Sequence, residues 1–259
     1  MITRRDAVRL LSSASAGAWL VTSHTGLAPS TVANALTAAG DGQNPESSPG
    51  ALSVPPDSSR WLLEGEAKTA EYQGRKCLLL DGGGATLKDC EMRDGVIDVD
   101  VATPASRGFF GIQFRIDKPG LNAEWVYLRQ HKSGLPDAMQ YTPVLNTGLN
   151  WQIYNGPGFT GAVEIPRATW FHLRLEVVGA QAKLYVKDMD KPALVMSDLK
   201  SGVQKGQVAL AVLTGATYFT NFEIRSTPDA TLGAAPAAHA AGHSDRVELV
   251  TFLRCADAE

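Results

Sequence analysis

An all-β fold of two packed antiparallel sheets is what this sequence predicts, and three observations carry that reading. From Trp61 onward, apolar residues recur at every second position in short runs, the period of a half-buried strand. Gly, Pro and Asp, the residues of tight turns, cut those runs apart. Nothing in that region sustains the 3.6-residue period of an amphipathic helix. Hydrophobic content of 44% and charged content of 20% are those of a globular chain with room for one core.

The ends read differently from the middle. MITRRDAVRLLSSASAGAWLVTS joins Arg4-Arg5 to a short stretch rich in Ala, Leu and Ser, with small-residue cleavage sites at Ala33-Asn34-Ala35 or Ala39. Residues 1–39 are therefore expected to be a secretory signal of the twin-arginine (Tat) type, although Ala7 stands where that consensus has a leucine or aromatic residue. The apolar run is shorter than the roughly 20 residues that span a bilayer. Residues 40–57, rich in Gly, Pro, Ser and Asp, read as a flexible linker. Residues 58–226 read as the folded unit, and 227–259 as a low-complexity Ala/Pro/Gly tail. The expectation is a protein exported to the periplasm or beyond, with no membrane span once the signal is removed. A net charge of −3 argues against a nucleic-acid partner, which calls for a clustered basic excess.

Within the folded unit, strands are expected at 61–66, 75–80, 85–88, 95–101, 109–116, 125–131, 140–144, 150–154, 170–178, 181–186, 193–196, 207–212 and 217–225. Three of them name their core faces. Ile97, Val99 and Val101 alternate with Asp98 and Asp100; Phe110, Ile112, Phe114 and Ile116 with Gly111, Gln113 and Arg115; Phe171, Leu173, Leu175 and Val177 with His172, Arg174 and Glu176. Burying one such Phe or Leu stabilises by roughly 1.5–3 kcal/mol, so a one-residue slip in register is strongly disfavoured. Asp81-Gly82-Gly83-Gly84 reads as a turn that folds one strand back on the next. It would set Cys77 opposite Cys90, either as a disulfide, which export permits, or as two small buried hydrophobes.

The segments GVIDVDVATPASRGFFGIQFR, YLRQHKSGLPDAMQYTPVLN, WQIY and ATWFHLRLEVVGAQAKLYVKDMDKPAL, closed by ATYFTNFEI, resemble the concanavalin A-like lectin/glucanase superfamily. More narrowly, they are similar to secreted bacterial laminin-G-like and family-16-like jelly-roll domains. The likeness covers residues 60–226 and implies a jelly-roll sandwich. It also implies a glycan-binding groove on the concave sheet. It is specific for fold rather than activity, because this architecture hosts glycosidases, lectins and inert modules alike.

The stretch from Trp125 to Tyr154 concentrates aromatic, guanidinium and amide groups on expected strands. Planar side chains stack on the apolar faces of sugar rings, while Arg, amide and carboxylate groups match their hydroxyls. The substrate-binding set is therefore Gln113, Arg115, Tyr127, Arg129, His131, Gln140, Tyr141 and Trp151. Their expected partner is an oligo- or polysaccharide. Trp125 and Trp151 are equally readable as packing residues, and Asp98 and Asp100 as members of an ion-pair network with Arg115 and Arg129. The alternative function is glycoside hydrolysis, with acid/base candidates Asp98, Asp100 and Asp137. It calls for two carboxylates about 5–5.5 Å or 6.5–9.5 Å apart. Family-16 glucanases carry a Glu-x-Asp-x-x-Glu strand, and no Glu here has Asp two places on. A non-catalytic envelope domain is the third reading. Ser133 near His131 and Asp137 lacks the surroundings of a nucleophile elbow. No cofactor is expected. Calcium at Asp188 and Asp190, in a hairpin turn, is the one metal site to consider, on oxygen-rich chemistry and because laminin-G-like relatives hold it.

Overall fold

The computed structural model describes residues 51–118 and 120–226; the expected signal segment, most of the expected linker, and the expected tail with Cys255 lie outside the described residues. The strands are β1 (Ala51–Val54), β2 (Trp61–Tyr72), β3 (Arg75–Met92), β4 (Gly95–Ala102), β5 (Phe109–Ile116), β6 (Ala123–Arg129) and β7 (Met139–Leu145). They continue as β8 (Gly148–Leu149), β9 (Thr160–Gly161), β10 (Phe171–Val178), β11 (Gln181–Val186), β12 (Leu194–Met196), β13 (Gly206–Thr214) and β14 (Thr217–Ser226). Hydrogen bonding runs in the order β12-β11-β10-β4-β14-β3-β13-β5-β6-β7-β8, with β1 on β14, β2 on β3 and β9 on β7. No helix among the described residues is long and apolar enough to cross a membrane.

One ribbon, β2–β3, folds this continuous sheet into the two layers of a sandwich. Leu78–Leu80 of β3 pair with β14, whereas Gly83 onward pairs with β13 in the other layer. The ribbon bends where Gly65 meets Gly82 and Gly83. A Cβ on Gly83, at φ +128°, would lie 2.1 Å from the Glu64 carbonyl oxygen, so only glycine lets the two backbones meet there. The expected hairpin at Gly82–Gly84 is thus a corner inside one strand. Cys77 and Cys90 sit toward opposite ends of that strand as free thiols, Cys77 buried and Cys90 partly so. That separation rules out the Cα approach a disulfide requires.

A single core fills the space between the layers. Ile97, Val99 and Val101 of β4 and Leu173 and Leu175 of β10 meet Phe110, Ile112 and Phe114 of β5, Val126 and Leu128 of β6, and Leu210 of β13. The alternation named the β4 and β10 residues and Phe110, Ile112 and Phe114 correctly; Ile116, expected on the same core face, instead packs with Trp125 and Tyr127 on the opposite face, because a bulge before it reverses the alternation. Three local expectations change. Ala51–Val54, inside the stretch read as linker, pairs with β14 as an edge strand. Residues 150–154 form a turn after β8, and 130–132 a short 3-10 turn ending β6.

β5 also contains a bulge, since Ala209 of β13 pairs with Gln113 but Gln207 pairs with Ile116, leaving two residues of β5 opposite one. Arg115 takes φ +50° in that bulge. Its side chain swings inward, where Nε donates to the Arg93 carbonyl at 3.0 Å and Nη2 to the Gly179 carbonyl at 2.6 Å and Asp94 Oδ1 at 3.2 Å. Arg115 therefore ties the β4 and β10–β11 turns together.

Candidate functional site

The outward face of β13, β5, β6 and β7 carries a groove of about 900 Å³. Strand alternation builds its floor: where Val126 and Leu128 enter the core, Trp125, Tyr127 and Arg129 point the other way. Phe109 of β5 extends the row, with ring centroids 6.3 Å from Tyr127, and Tyr127 lies 4.5 Å from Trp125. Leu213 of β13 and Leu149 of β8 add aliphatic surface. Trp151 stands at the edge with 46% of its surface exposed, whereas Trp125 is buried in the floor.

Gln140 of β7 organises the polar half. Its Oε1 accepts from the Tyr127 hydroxyl at 2.7 Å and also from Arg129 Nη2. Its Nε2 donates to the Trp151 carbonyl at 2.9 Å and the Tyr154 carbonyl at 2.5 Å. One buried amide thus fixes the Arg129 guanidinium and the turn that presents Trp151. Arg129 Nη1 donates to Asp137 Oδ2 at 3.1 Å and to the Asp137 carbonyl at 3.0 Å. Lys132 Nζ approaches the same carboxylate at 3.5 Å. Asp137 is the one carboxylate among the groove-lining residues.

His131 follows in the 3-10 turn, edge-on to Phe109 with centroids 5.0 Å apart. Burial, then the cations Arg107, Lys132 and Arg129, hold its imidazole below the usual histidine range, against a smaller opposing effect of Asp137. Its Nδ1 and the Trp125 Nε1 are buried without a hydrogen-bond partner. Ser133 has other work: its hydroxyl accepts from the Ile165 N–H at 2.8 Å and donates to Glu164 Oε2 at 3.2 Å, pinning the loop rather than forming a triad.

Of the expected binding residues, Tyr127, Arg129, His131, Gln140 and Trp151 line this groove. Gln113 is on the same face, opposite Trp125, but outside the lining. Arg115 is withdrawn by the bulge. Tyr141 points into the core because Gln140, its neighbour in a period-two strand, points out. Its hydroxyl donates to Glu124 Oε2 at 2.6 Å and accepts from the Lys200 N–H at 2.6 Å, and Glu124 Oε1 takes Ser201. Burial and Glu124 push that phenol well above its usual range.

Asp98 and Asp100 face outward as expected, but from the other layer, because β4 pairs with β10 and β14 rather than β5. There they sandwich His172, whose Nδ1 is 2.7 Å from Asp100 Oδ1 and Nε2 2.8 Å from Asp98 Oδ1. Asp98 also accepts from Arg174 at 2.7 Å and Arg225 at 2.5 Å, and Asp100 from Arg75 at 2.6 Å and Asn221 at 3.0 Å. Burial acts to raise both carboxyls, but the bonds from His172, Arg174 and Arg75 outweigh it and hold them below the ordinary range. Bonds to Asp100 and Asp98 raise His172 to about 9. These aspartates cannot join Asp137 across one substrate, so the expected acid/base set does not assemble. The other anticipated ion-pair partners, Arg115 and Arg129, are replaced by Arg75, Arg174 and Arg225. Asp188, the calcium candidate, accepts from the backbone N–H groups of Asp190 and Lys191 at 2.9 and 3.3 Å, a turn holding itself. Among the described residues no three acidic, His or Cys side chains gather as a metal set.

Sequence reasoning missed Arg107, Phe109, Lys132, Leu149 and Leu213 as groove residues. Phe109 was detectable: it precedes the core residue Phe110 and must face the opposite way.

No protein-family model matches the sequence, and no curated protein matches it at a significant level. Solved structures do match. A protein of unknown function with a galectin-like fold from Bacillus subtilis shares 14% identity over 68% of this chain and 94% of its own, with a TM-score of 0.51. The carbohydrate-binding module CBM66 from Bacillus subtilis shares 18% over 64% of this chain and 96% of its own, at 0.49. A Bacillus licheniformis β-glucanase shares 9% over 69% and 98%, at 0.47. At these identities the likeness is one of fold, and the galectin-like sandwich supports the two-layer architecture.

Proposed function

We propose that this chain is an exported, lectin-like carbohydrate-binding β-sandwich that holds an oligosaccharide in the groove over β5–β7. The observation that carries the reading is Trp151, an exposed indole whose backbone carbonyl is held by Gln140, in the same groove as the Phe109–Tyr127–Trp125 row and the immobilised Arg129. A sugar ring stacks its apolar face on such a surface and meets polar groups at its edge. The groups are held before any ligand arrives, which lowers the ordering cost of binding. The lone groove carboxylate, already paired with Arg129 and Lys132, favours holding a glycan over cutting one. The twin-arginine start supports export, and kinship to laminin-G-like or family-16-like modules belongs to the same proposal.

Glycan-array screening of the chain, followed by calorimetry, tests it. An oligosaccharide should bind, remain uncleaved, and lose at least about tenfold in affinity with Trp151→Ala, the equivalent of roughly 1.4 kcal/mol. Binding of nothing, or equal binding by the variant, would sink the reading.

A further inference from the structure

The groove's neutral hydrogen-bonding groups are largely spent on one another. Gln140 uses both ends of its amide, and the Tyr127 hydroxyl both donates to it and accepts from Arg129 at 3.0 Å. Thr160 Oγ1 is engaged with Gly156, and Asn155 Nδ2 donates to the Gln152 carbonyl. The Asp137 carboxylate is matched by Arg129 and Lys132. Beside the Trp125 indole N–H, the His131 Nδ1 and the Gln152 amide, what remains is cationic. Arg107 is exposed at the groove, 5.8 Å from the Phe109 ring centroid, with no carboxylate in ion-pair range among the described residues. Lys132 has one long contact to Asp137 and two further protons to give. Three cations against one carboxylate line a groove on a chain whose net charge is −3. The local field therefore opposes the overall charge, and the same three cations add to burial in depressing His131. Unspent donors with positive charge, next to a stacking surface, complement a ring that carries an anionic acceptor.

Resting on the carbohydrate-binding reading, we infer that the groove selects an acidic glycan, with a uronate carboxylate seated against Arg107 and Lys132 while its ring stacks between Phe109 and Trp151. The planar fork of Arg107 takes two oxygens of a carboxylate or of a sulfate ester alike, so a sulfated sugar is the competing ligand that the test must separate from a uronate.

Calorimetric titration of the full chain with galacturonate, glucuronate and mannuronate oligosaccharides, each against its carboxyl-reduced neutral form, tests the inference. At least one acid should bind about tenfold more tightly than its reduced partner, with the difference shrinking as salt rises from 50 to 500 mM. Arg107→Gln/Lys132→Gln, checked for an unchanged unfolding temperature, should erase that difference. Equal binding of acid and reduced sugar overturns the inference and leaves the carbohydrate reading standing; binding of no glycan, acidic or neutral, overturns both. Tighter binding of a sulfated neutral oligosaccharide than of every uronate overturns the carboxylate assignment.

Discussion

Replacing His172 by Gln removes the one titratable bridge between Asp98 and Asp100 and leaves Arg75, Arg174 and Arg225 in place. In the folded protein the imidazole is raised from 6.5 to about 9 by its two carboxylates. A raised folded-state value means that protonated His172 contributes stability below about pH 6.5, and that the contribution is lost as pH climbs through about 9. The full shift corresponds to about 3.4 kcal/mol at about 1.36 kcal/mol per unit. Nearly a third of the ring is exposed, at 32%, so solvent screening cuts this to about 1–2 kcal/mol. Urea unfolding of wild type and His172→Gln at pH 6 and pH 10 measures it. The stability gap between the two proteins should narrow by about 1–2 kcal/mol from the lower to the higher pH. Taking the difference cancels other groups that titrate there, such as the buried Cys77 thiol, which burial raises. A gap that stays constant would refute the charged bridge.

Other outcomes follow from the same geometry. Gln140→Met should cost about 1–3 kcal/mol in urea unfolding, because the Tyr127 hydroxyl and the Trp151 carbonyl lose a buried partner; it should weaken glycan binding too, through release of the 150–154 turn. Trp151→Ala should change stability by less than about 0.5 kcal/mol while abolishing most binding, which separates the exposed platform from its support. Arg115→Met should cost about 3 kcal/mol, since it strips the buried Asp94 of its close cation, leaving it the Gly179 N–H and a 3.9 Å contact to Arg93, with glycan affinity retained in the folded fraction. His131 is held below its usual range in the free protein, so an anionic ligand beside it should raise its pKa; affinity for that ligand should then increase as pH falls from 7 to 5.

Period-two alternation was enough to read the core faces of β4 and β10 and of β5 as far as Phe114, and to set Tyr127 and Arg129 outward together. It failed where one residue breaks the period. The bulge turns Arg115 inward, and no residue type announces it, since arginine rarely adopts a positive φ. Tyr141 was recoverable from the rule that adjacent strand residues face opposite ways, which excludes it once Gln140 lines the groove. Asp98 and Asp100 show a different limit. Their outward direction was legible, but the layer they occupy depends on β4 pairing with β10 and β14, contacts far along the chain that local pattern does not encode. Gly82–Gly84 has the composition of a hairpin turn and serves instead as the corner of a long strand, because Gly65 across the ribbon supplies the matching bend.

Trp151 gives the most direct test of the central claim, that the groove over β5–β7 is where a glycan sits. An indole ¹H–¹⁵N spectrum of the protein, titrated with whichever oligosaccharide the array identifies, reports each tryptophan separately. The Trp151 resonance should shift progressively to saturation, while Trp61, packed on Phe222, and Trp170, beside Tyr72 and Arg75, stay fixed. A saturable shift at Trp170 or Trp61 with Trp151 unmoved would place the ligand elsewhere and contradict the account.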